Sequence, residues 1–515
     1  MSYDVWRIII MLCKNCILKL IYALEIMHTQ IYDELSCLDS DTRMNAEIQT
    51  RTEKDLLGLR EVPNQFYFGI QTLRAIENFN LSSNKINQYP NLIKSLAMVK
   101  HACAEANHTL GKLSDQKLNA IKYSCDQLIH GAYHEQFPID LIQGGAGTST
   151  NMNANEVIAN IGLEHLGYKK GEYKHLHPNN DVNMSQSTND VYPTAIRLGL
   201  LFSLDEMYTP FANLIASLRQ KGDEFSHILK MGRTQLQDAV PMTLGQEFNG
   251  FATTLEKDLV KLKEIAPSTL NYMNLGGTAI GTGINTEQKY TELAIEALAR
   301  ISQKNIKSAP DLIEATSDMG DFVLLSGLLK RTATKLSKIA NDLRLLSSGP
   351  RTGINEINLE PRQPGSSIMP GKVNPVIPEA LNLVCFQVIA NDLAVTLAAE
   401  AGQLQLNAFE PLIAYKLFES IELLSNALVM FQTKCVDTVT ANQEHCKALV
   451  DNSIGIVTAL NPYLGYETTT RIAKTANESG LSVLSLIKAE NLLSDDQLAE
   501  ILAIDNMVQP KAETA

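Results

Sequence analysis

Apolar residues recur at spacings of three and four along most of the chain from about Thr50 onward. This is the period of an amphipathic helix, whereas runs of alternating Val, Ile and aromatic residues, which would indicate strands, are few. Residues 311–346 keep the helical spacing over a long distance, up to a polar break at residues 347–350. We predict further long helices from Pro193 past a kink at Pro210, over residues 244–265 and over residues 379–410.

These predicted helices determine the expected fold class. Helices much longer than the average usually pack into bundles, and their apolar faces are wider than one neighbour covers. The pattern therefore predicts an all-α fold with long central helices that also pack between subunits. We divide the chain into an N-terminal appendage (residues 1–48), an N-terminal domain (49–190), a central helical-bundle domain (191–445) and a small C-terminal domain (446–515).

The first 48 residues differ from the rest of the chain. Residues 8–24 are strongly apolar, but Lys14, Asn15 and Lys19 interrupt them. An uninterrupted apolar run of a membrane span is therefore absent here, and no apolar region ends in the small residues of a signal peptide. An amphipathic surface helix, a disordered appendage and an upstream start codon, with the body beginning after Met44, all fit this segment. We expect a non-catalytic appendage and no membrane association.

Composition and charge restrict the classes of partner. The chain has 515 residues, with 44 Lys and Arg against 57 Asp and Glu, which gives a net charge of −13. Such a surface repels phosphate backbones, so nucleic acid is not an expected partner. An anionic substrate would need cations or backbone N–H groups placed locally. The eight cysteines form no repeating framework and are typical of reduced thiols in the cytoplasm.

Four loops between the predicted helices are rich in Gly, Ser, Thr and Asn: residues 144–153, 185–190, 232–238 and 365–375. Small hydroxyl and amide side chains with exposed N–H groups bind carboxylates at helix starts, where the helix dipole also favours anions. Each loop by itself also fits a helix cap or a turn. Four of them in one helical chain indicate a binding site for a small polyanion.

Commoner motifs do not account for these loops. Five residues separate Gly365 from Gly371 and Val373 follows Lys372, so the P-loop spacing is not met. Met369 stands where a hydrolase elbow needs Gly. Residues 276–283 are better interpreted as a tight turn or a close helix contact than as a nucleotide loop. The ten histidines show no zinc spacing, so we expect no catalytic metal.

The loop at residues 365–375 has the surroundings that serine needs to act as a base. A serine is basic only when deprotonated, and N–H donors and positive charge must then hold its oxyanion. Gly365, Ser366 and Ser367, followed by Lys372, offer both. On spacing alone, Lys372 also fits an ordinary surface lysine.

Residues 365–375 resemble the signature loop of the aspartase/fumarase superfamily. The resemblance extends over roughly residues 50–508, and residues 1–48 have no counterpart in it. The other matching segments, in the family's order, are residues 55–58, 182–190 and 232–247. Residues 230–248 and 341–351 most resemble the branch that removes ammonia from aspartate, and fumarase is the nearest rival.

The resemblance implies a fold and a reaction. Members are homotetramers with three mostly helical domains per chain, and their middle domains form a twenty-helix core. The implied reaction removes a proton from C3 of L-aspartate, gives an aci-carboxylate and then releases ammonia to leave fumarate, reversibly. No organic cofactor takes part. Some members are activated by divalent cations, and activation by Mg²⁺ stays open here.

Roles for single residues also follow from the resemblance. Ser366 would be the general base, on a mobile loop that closes over the small dicarboxylate substrate. The residues implied to bind substrate are Thr148, Ser187, Thr188 and Ser367 at the carboxylate beside C3, Lys372 and Asn374 at the other carboxylate, and Asn189, Thr234 and Gln235 at the amino group.

One departure separates the two branches. Fumarases carry His at the position of Gln235, paired with a Glu like Glu379, and that pair handles water or hydroxide. A glutamine does not titrate near neutral pH, so its presence disfavours hydration. Fumarate hydratase therefore stays an alternative, as does a catalytically inactive structural protein on the same fold. The intact Ser366, Lys372 and Asn374 disfavour the inactive protein.

Overall fold

The computed structural model describes residues 49–508, so the N-terminal appendage predicted at residues 1–48 lies outside the described part of the chain. Helices dominate the described residues, as the periodicity predicts. In chain order they are α1 (Ile70–Asn78), α2 (Pro90–Thr109), α3 (Asp115–Ile129), α4 (Thr148–His165), α5 (Thr188–Glu224), α6 (Leu244–Leu270), α7 (Tyr290–Ser302), α8 (Leu312–Ser317), α9 (Gly320–Leu346), α10 (Val376–Glu400), α11 (Glu410–Lys434), α12 (Gln443–Asn452), α13 (Val457–Leu464), α14 (Tyr466–Ser479), α15 (Val483–Ala489), α16 (Asp495–Ile501) and α17 (Ile504–Val508).

The mostly helical fold agrees with the prediction, and four short sheets accompany the helices among the described residues. Each sheet has two strands, and the third pair is parallel while the others are antiparallel. The pairs are β1 (Thr50–Asp55) with β2 (Gly58–Pro63), β3 (Leu229–Thr234) with β4 (Gln237–Thr243), β5 (Tyr272–Met273) with β6 (Lys307–Ser308), and β7 (Ile357–Asn358) with β8 (Thr440–Ala441). Strands of two to seven residues are too short for alternation to stand out from a helical background.

Five long helices, α5, α6, α9, α10 and α11, pack against one another as the central bundle. The 37-residue α5 contacts both α6 and α11, and its inward face buries Leu198, Leu204, Phe211 and Leu218. Burying side chains of this size contributes about 1.5–3 kcal/mol each before conformational entropy is counted. Three of the four polar loops, at residues 185–190, 232–238 and 365–375, lie next to the ends of bundle helices.

Two predicted helices are interrupted. Residues 311–346 form α8 and α9, because the backbone of Asp318 is extended and its carboxylate accepts a hydrogen bond from the Gly320 N–H at 2.8 Å. The helix predicted over residues 379–410 is also interrupted, since α10 ends at Glu400 and the next helix, α11, begins only at Glu410. There the Asn407 side-chain amide donates to the Ala398 carbonyl oxygen at 2.9 Å, which satisfies a terminal carbonyl group of α10.

The other two predicted helices are longer than expected. Helix α5 begins at Thr188, before Pro193, and continues through Pro210. Helix α6 begins at Leu244 as predicted and continues through Pro267 to Leu270. Apolar packing on both sides of each proline therefore outweighs the hydrogen bond that the proline removes.

A second, smaller core lies towards the C-terminus. Its buried members, Val450, Ile456, Leu460, Ile472 and Ile487 among them, come from helices α12–α15 and the turn before α13. Met231 of β3 also packs in this core, which places the β3–β4 hairpin against the C-terminal helices. The domain boundaries at residues 190/191 and 445/446 stay predictions.

By length and composition alone, one helix among residues 49–508 is apolar enough to cross a membrane. This is α10, with a mean hydropathy of 1.6 in its most apolar window. The helix packs between α9 and α11 in the bundle, as a core helix does. Its remaining face exposes four large apolar side chains, those of Leu383, Phe386, Leu393 and Leu397.

Candidate active site

The first polar loop leads directly into α4, which begins at Thr148. Gly147 precedes it with φ 85°, a conformation that glycine adopts at little cost. The Thr148 hydroxyl donates to the Gly145 carbonyl oxygen at 2.8 Å, which leaves its lone pairs available. The Thr148 side chain is exposed at the helix N-terminus, where the dipole favours an anion.

The second loop ends at Ser187, the N-cap of α5. The Ser187 hydroxyl accepts a hydrogen bond from the Asn189 N–H at 3.2 Å, and the Asp190 carboxylate accepts from the Ser187 N–H at 3.0 Å. This capping box orients the first turn of the longest described helix. Thr188 is nearly buried, and its hydroxyl oxygen accepts from the side-chain amide of Asn151 at 3.0 Å.

Asn189 is fixed by two hydrogen bonds to other parts of the chain. Its side-chain N–H donates to the Ala279 carbonyl oxygen at 2.8 Å, and its own carbonyl accepts from the Asn274 side chain at 2.9 Å. The remaining side-chain oxygen of Asn189 is an acceptor. An ammonium group is therefore a suitable ligand for it.

Residues 276–283 support this loop and form tight turns, as predicted. The Asp190 carboxylate accepts from the Gly276 and Thr278 N–H groups at 3.1 and 3.0 Å. Burial raises the pKa of Asp190 to about 6. Gly281 has φ 93°, and an added Cβ would lie 2.4 Å from the Ile313 backbone, so a close chain contact accounts for this glycine.

A buried lysine that the sequence analysis did not identify connects the first two loops. The Lys100 ammonium donates to the side-chain oxygens of Asn151, Asn183 and Gln186 at 2.6, 2.8 and 2.8 Å. Burial lowers the pKa of Lys100 to about 7. The signal in the sequence was a charged residue inside the apolar run of α2, a position where lysine is rarely found unless it is paired.

Thr234 and Gln235 lie at the tip of the β3–β4 hairpin rather than in a long loop. Gln235 and Leu236 both have positive φ, 54° and 63°, which is the two-residue turn of a type I′ hairpin. Both predicted residues are exposed. The sequence did not predict this turn, because neither central position is Gly, Asn or Asp.

Buried ion pairs anchor the base of this hairpin. The buried Glu356 carboxylate lies 2.8 Å from the Lys230 ammonium and 2.7 Å from the Arg233 guanidinium. Lys230 also contacts Glu247 at 2.6 Å. Removing one partner of such a pair leaves an uncompensated buried charge, so these contacts stabilise the base of the hairpin, whereas its tip is exposed.

In the fourth loop, backbone hydrogen bonds shape the surroundings of Ser366. Its hydroxyl oxygen accepts from the Ile368 and Met369 N–H groups, both at 3.2 Å. The loop is closed by the Asn374 side chain, which donates to the Gly365 carbonyl oxygen at 2.9 Å. Two N–H donors aimed at one hydroxyl oxygen stabilise its deprotonated form.

The outer part of this loop is open to solvent. Ser367 and Lys372 are exposed, and Ile368 is 84% exposed despite being apolar.

The structure thus brings some of the predicted residues together and leaves others apart. The loops of Thr148 and of Ser187 to Asn189 meet, through the Asn151–Thr188 hydrogen bond. Across residues 49–508, no hydrogen bond or ion pair joins the hairpin tip or the 365–375 loop to them. The roles assigned to the individual residues stay predictions.

Among the described residues, no group of three or more His, Cys, Asp or Glu side chains is placed to hold a metal ion. Two histidines close in sequence have structural contacts instead. His175 stacks on Tyr168, and the His177 ring accepts from the Asn179 and Asn180 N–H groups at 3.0 and 3.2 Å.

Most of the chain is similar to known proteins. The family model described as Lyase matches residues 58–390, and the model described as Fumarase C C-terminus matches residues 456–509. A Pseudomonas aeruginosa protein named aspartate ammonia-lyase is 65% identical over 468 residues, which cover 91% of this chain and 99% of that protein.

Two solved structures are also similar. The fumarate lyase:delta crystallin from Brucella melitensis bound to cobalt is 55% identical, with a TM-score of 0.87 over 90% of this chain and 100% of that one. The class II fumarase from Schistosoma mansoni is 35% identical, with a TM-score of 0.84 over 89% of this chain and 99% of that one. This chain therefore shares its fold with both proteins, and its sequence identity to the fumarase is the lower of the two.

Proposed function

The chain belongs to the Lyase family, and on this premise we propose that it converts L-aspartate reversibly into fumarate and ammonia. The 65% identity to a protein named aspartate ammonia-lyase, over nearly the whole of that protein, carries the proposal. Gln235 supports the same choice, because the amide at this exposed hairpin tip does not titrate near neutral pH and so cannot serve as the acid or base that hydration needs.

In the proposed mechanism Ser366 removes the C3 proton of aspartate. The Ile368 and Met369 N–H groups hold the alkoxide form of its side chain, and Lys372 on the same loop adds positive charge. The electron pair moves onto the adjacent carboxylate, giving an aci-carboxylate. Loss of ammonia then leaves fumarate. No organic cofactor is required, and an effect of Mg²⁺ is a matter for the assay below.

Substrate binding is divided between helix starts and projecting loops. Helices α4 and α5 present the hydroxyl groups that hold the carboxylate beside C3, where negative charge develops in the transition state. The assignments are Thr148, Ser187, Thr188 and Ser367 to this carboxylate, Lys372 and Asn374 to the other, and Asn189, Thr234 and Gln235 to the amino group.

The functional unit is a homotetramer. The exposed apolar face of α10, with Leu383, Phe386, Leu393 and Leu397, supports this, because monomers rarely leave a contiguous patch of this kind uncovered. Four copies of the five-helix bundle would give the twenty-helix core. Each active site would then combine loops from more than one chain, which accounts for the separation of the loops within one chain.

The assay that tests the function follows absorbance near 240 nm, where fumarate absorbs. Purified protein is given L-aspartate, L-malate, or fumarate with ammonium, each with and without magnesium. We expect a rise with L-aspartate and none with L-malate. A rise with L-malate would identify a fumarate hydratase, and no change with any substrate would indicate a structural protein. The five described cysteines are free and buried, in agreement with the proposed cytoplasmic location.

A further inference from the structure

Lys100 is a buried cation whose ammonium group is hydrogen-bonded only to neutral side chains. Its side chain is 0% exposed, and its three hydrogen-bond acceptors are neutral side-chain amide oxygens. An ammonium group has three donors and no acceptor, so these contacts satisfy it completely while leaving its charge uncancelled. A charge kept inside a protein without a carboxylate in contact is costly, and here the buried Asp190 carboxylate offsets part of that cost by attraction without touching the ammonium.

The hydrogen bonds run from this ammonium towards the proposed site. Because Lys100 offers only donors, the Asn151 side chain must present its oxygen to the lysine and its N–H₂ to the other side. That N–H₂ donates to the Thr188 hydroxyl oxygen at 3.0 Å. The Thr188 oxygen therefore acts as an acceptor towards Asn151, and its own proton remains free to be donated elsewhere.

We propose that Lys100 is a positioning residue for the substrate carboxylate: its ammonium fixes the amide of Asn151 and thereby directs the Thr188 hydroxyl proton towards that carboxylate. This inference rests on the proposed function, since it takes the carboxylate as the ligand of Thr188. The bound carboxylate adds to the compensation that Asp190 gives the buried charge, because it lies one hydrogen-bond chain away from the ammonium. Gln186, directly before Ser187, is held by the same ammonium.

Protonation of Lys100 then couples to binding. Burial lowers the pKa of Lys100 to about 7, so the free enzyme loses this proton as the pH rises above neutrality. A bound dicarboxylate favours the charged form, so binding above that pH takes up a proton. The titratable groups around the lysine are Cys103 on its own helix, Cys125 on α3, Asp190 on α5, and Tyr290 of α7 against Cys103.

A double-mutant cycle tests the connection from Lys100 to Thr188. The variants are Lys100→Met, Thr188→Val and the two combined, compared by kcat/KM for L-aspartate. We expect each single variant to lose about 10- to 100-fold, and the double variant to lose no more than the worse single one. Losses that multiply would show that Lys100 acts independently of Thr188 and would overturn the proposal.

A matched control separates positioning from a general need for a buried lysine. Lys221 on α5 is also buried, and its ammonium donates to the Val439 carbonyl oxygen at 2.9 Å and to the Glu224 carboxylate at 2.8 Å, with no hydrogen bond to the four polar loops. We expect Lys221→Met to keep kcat/KM within about twofold of the parent. A loss as large as that of Lys100→Met, without the coupling to Thr188, would count against the proposal.

A second measurement uses the unmodified protein and succinate, an unreactive dicarboxylate. Calorimetric titration in two buffers of different ionisation enthalpy gives the protons taken up on binding. We expect uptake at pH 8, little at pH 6, and none at either pH for Lys100→Arg, since arginine stays charged. Equal uptake by Lys100→Arg, or none by the unmodified protein at pH 8, would refute the coupling.

The two proposals fail separately. If the unmodified protein acted on L-malate rather than L-aspartate, the proposed function would be wrong. The cycle with L-malate and the succinate titration would still decide the role of Lys100. If L-aspartate were the substrate and the losses multiplied, only the role of Lys100 would be wrong.

Discussion

A Cβ atom placed on Gly147 would lie 2.3 Å from the ring of Tyr192, a distance that no non-bonded carbon pair tolerates. Gly147 ends the loop before α4, and Tyr192 is fully buried in the first turns of α5. This contact holds the start of one helix against the start of the other. The two helix starts can approach this closely only because residue 147 has no side chain. The relative position of the Thr148 and Ser187 hydroxyl groups therefore depends on this glycine.

Gly147→Ala should disturb that position as well as stability. Overpacking of this kind costs about 1–3 kcal/mol, in addition to the strain of φ 85°. We expect a lower melting temperature and a reduced kcat/KM. Gly167→Ala is the control, because Gly167 has φ 84° and nothing within 4 Å of its Cβ position. Equal effects of the two variants would show that backbone strain, not contact with Tyr192, explains the loss.

Ser366→Ala should lower kcat by at least about 100-fold and change KM by less than about threefold. The reason is that a general base acts on the C3 proton in the transition state and contributes little to ground-state binding. Steady-state kinetics with L-aspartate checks this. Ser268→Ala, an exposed serine on α6, is the control and should match the parent. A normal kcat in Ser366→Ala would remove serine from the role of base.

Lys372→Ala should instead act mainly on KM. A charge-assisted contact to a carboxylate contributes about 1.5–3 kcal/mol, which corresponds to an increase of about 10- to 100-fold. The comparison is with Lys474→Ala, another exposed lysine, which should leave KM unchanged. If Ser366→Ala and Lys372→Ala both gave the same modest rise in KM with normal kcat, the division of roles would be wrong.

Shared active sites predict complementation between inactive variants. Thr234→Ala and Ser366→Ala, unfolded and refolded together, should recover part of the activity, because some sites in mixed tetramers receive neither lesion. Mixing Ser366→Ala with Lys372→Ala is the control, and both mixtures are assayed well below the KM of the parent protein, where Lys372→Ala is also weakly active. Both residues lie on the 365–375 loop of one chain, so every site keeps one lesion. Proven mixed tetramers of the first pair without recovered activity would contradict shared sites.

Glu156 should make stability depend on pH. It is buried, accepts hydrogen bonds from the Gly69 and Gln71 N–H groups at 2.8 Å, and burial raises its pKa from 4.5 to about 7. Between these values the folded chain binds more of this proton than the unfolded chain does. The free energy of unfolding should therefore fall as the pH rises from about 5 to 7.

Urea unfolding at pH 5, 6, 7 and 8, at one protein concentration, measures this dependence. One such group contributes at most about 1.4 kcal/mol per pH unit. In Glu156→Gln the slope should become flatter, whatever happens to the absolute stability. In Glu478→Gln, at an exposed glutamate, it should not change. An unchanged slope in Glu156→Gln would show that this carboxyl does not titrate in the range.

The sequence by itself determined the features that neighbouring residues encode. The three- and four-residue spacing of apolar side chains depends only on helix geometry, so the long helices α5, α6, α9 and α10 were predictable in place. Of their ends, the start of α6 and the end of α9 were predicted, and most others were not. The polar loops were likewise visible, because runs of hydroxyl and amide residues at helix starts are local patterns. Ser366 was identified as the candidate base from the composition of residues 365–375 and from the resemblance of this loop to a family signature.

Only the tertiary structure decided features that depend on residues far apart in the chain. The β3–β4 hairpin is held by Glu356, more than a hundred residues away, so its strands and its turn of positive φ left no local signal. In the sequence, Lys100 is only a charged residue within an apolar run. Its burial and its three hydrogen-bond acceptors come from α4 and the loop before α5, which are distant in the chain. The cost of burying a charge, and the hydrogen bonds that offset it, exist only when those elements have packed together. Periodicity predicts which face of a helix is buried, but the partners that meet there are set by the packing of the whole chain.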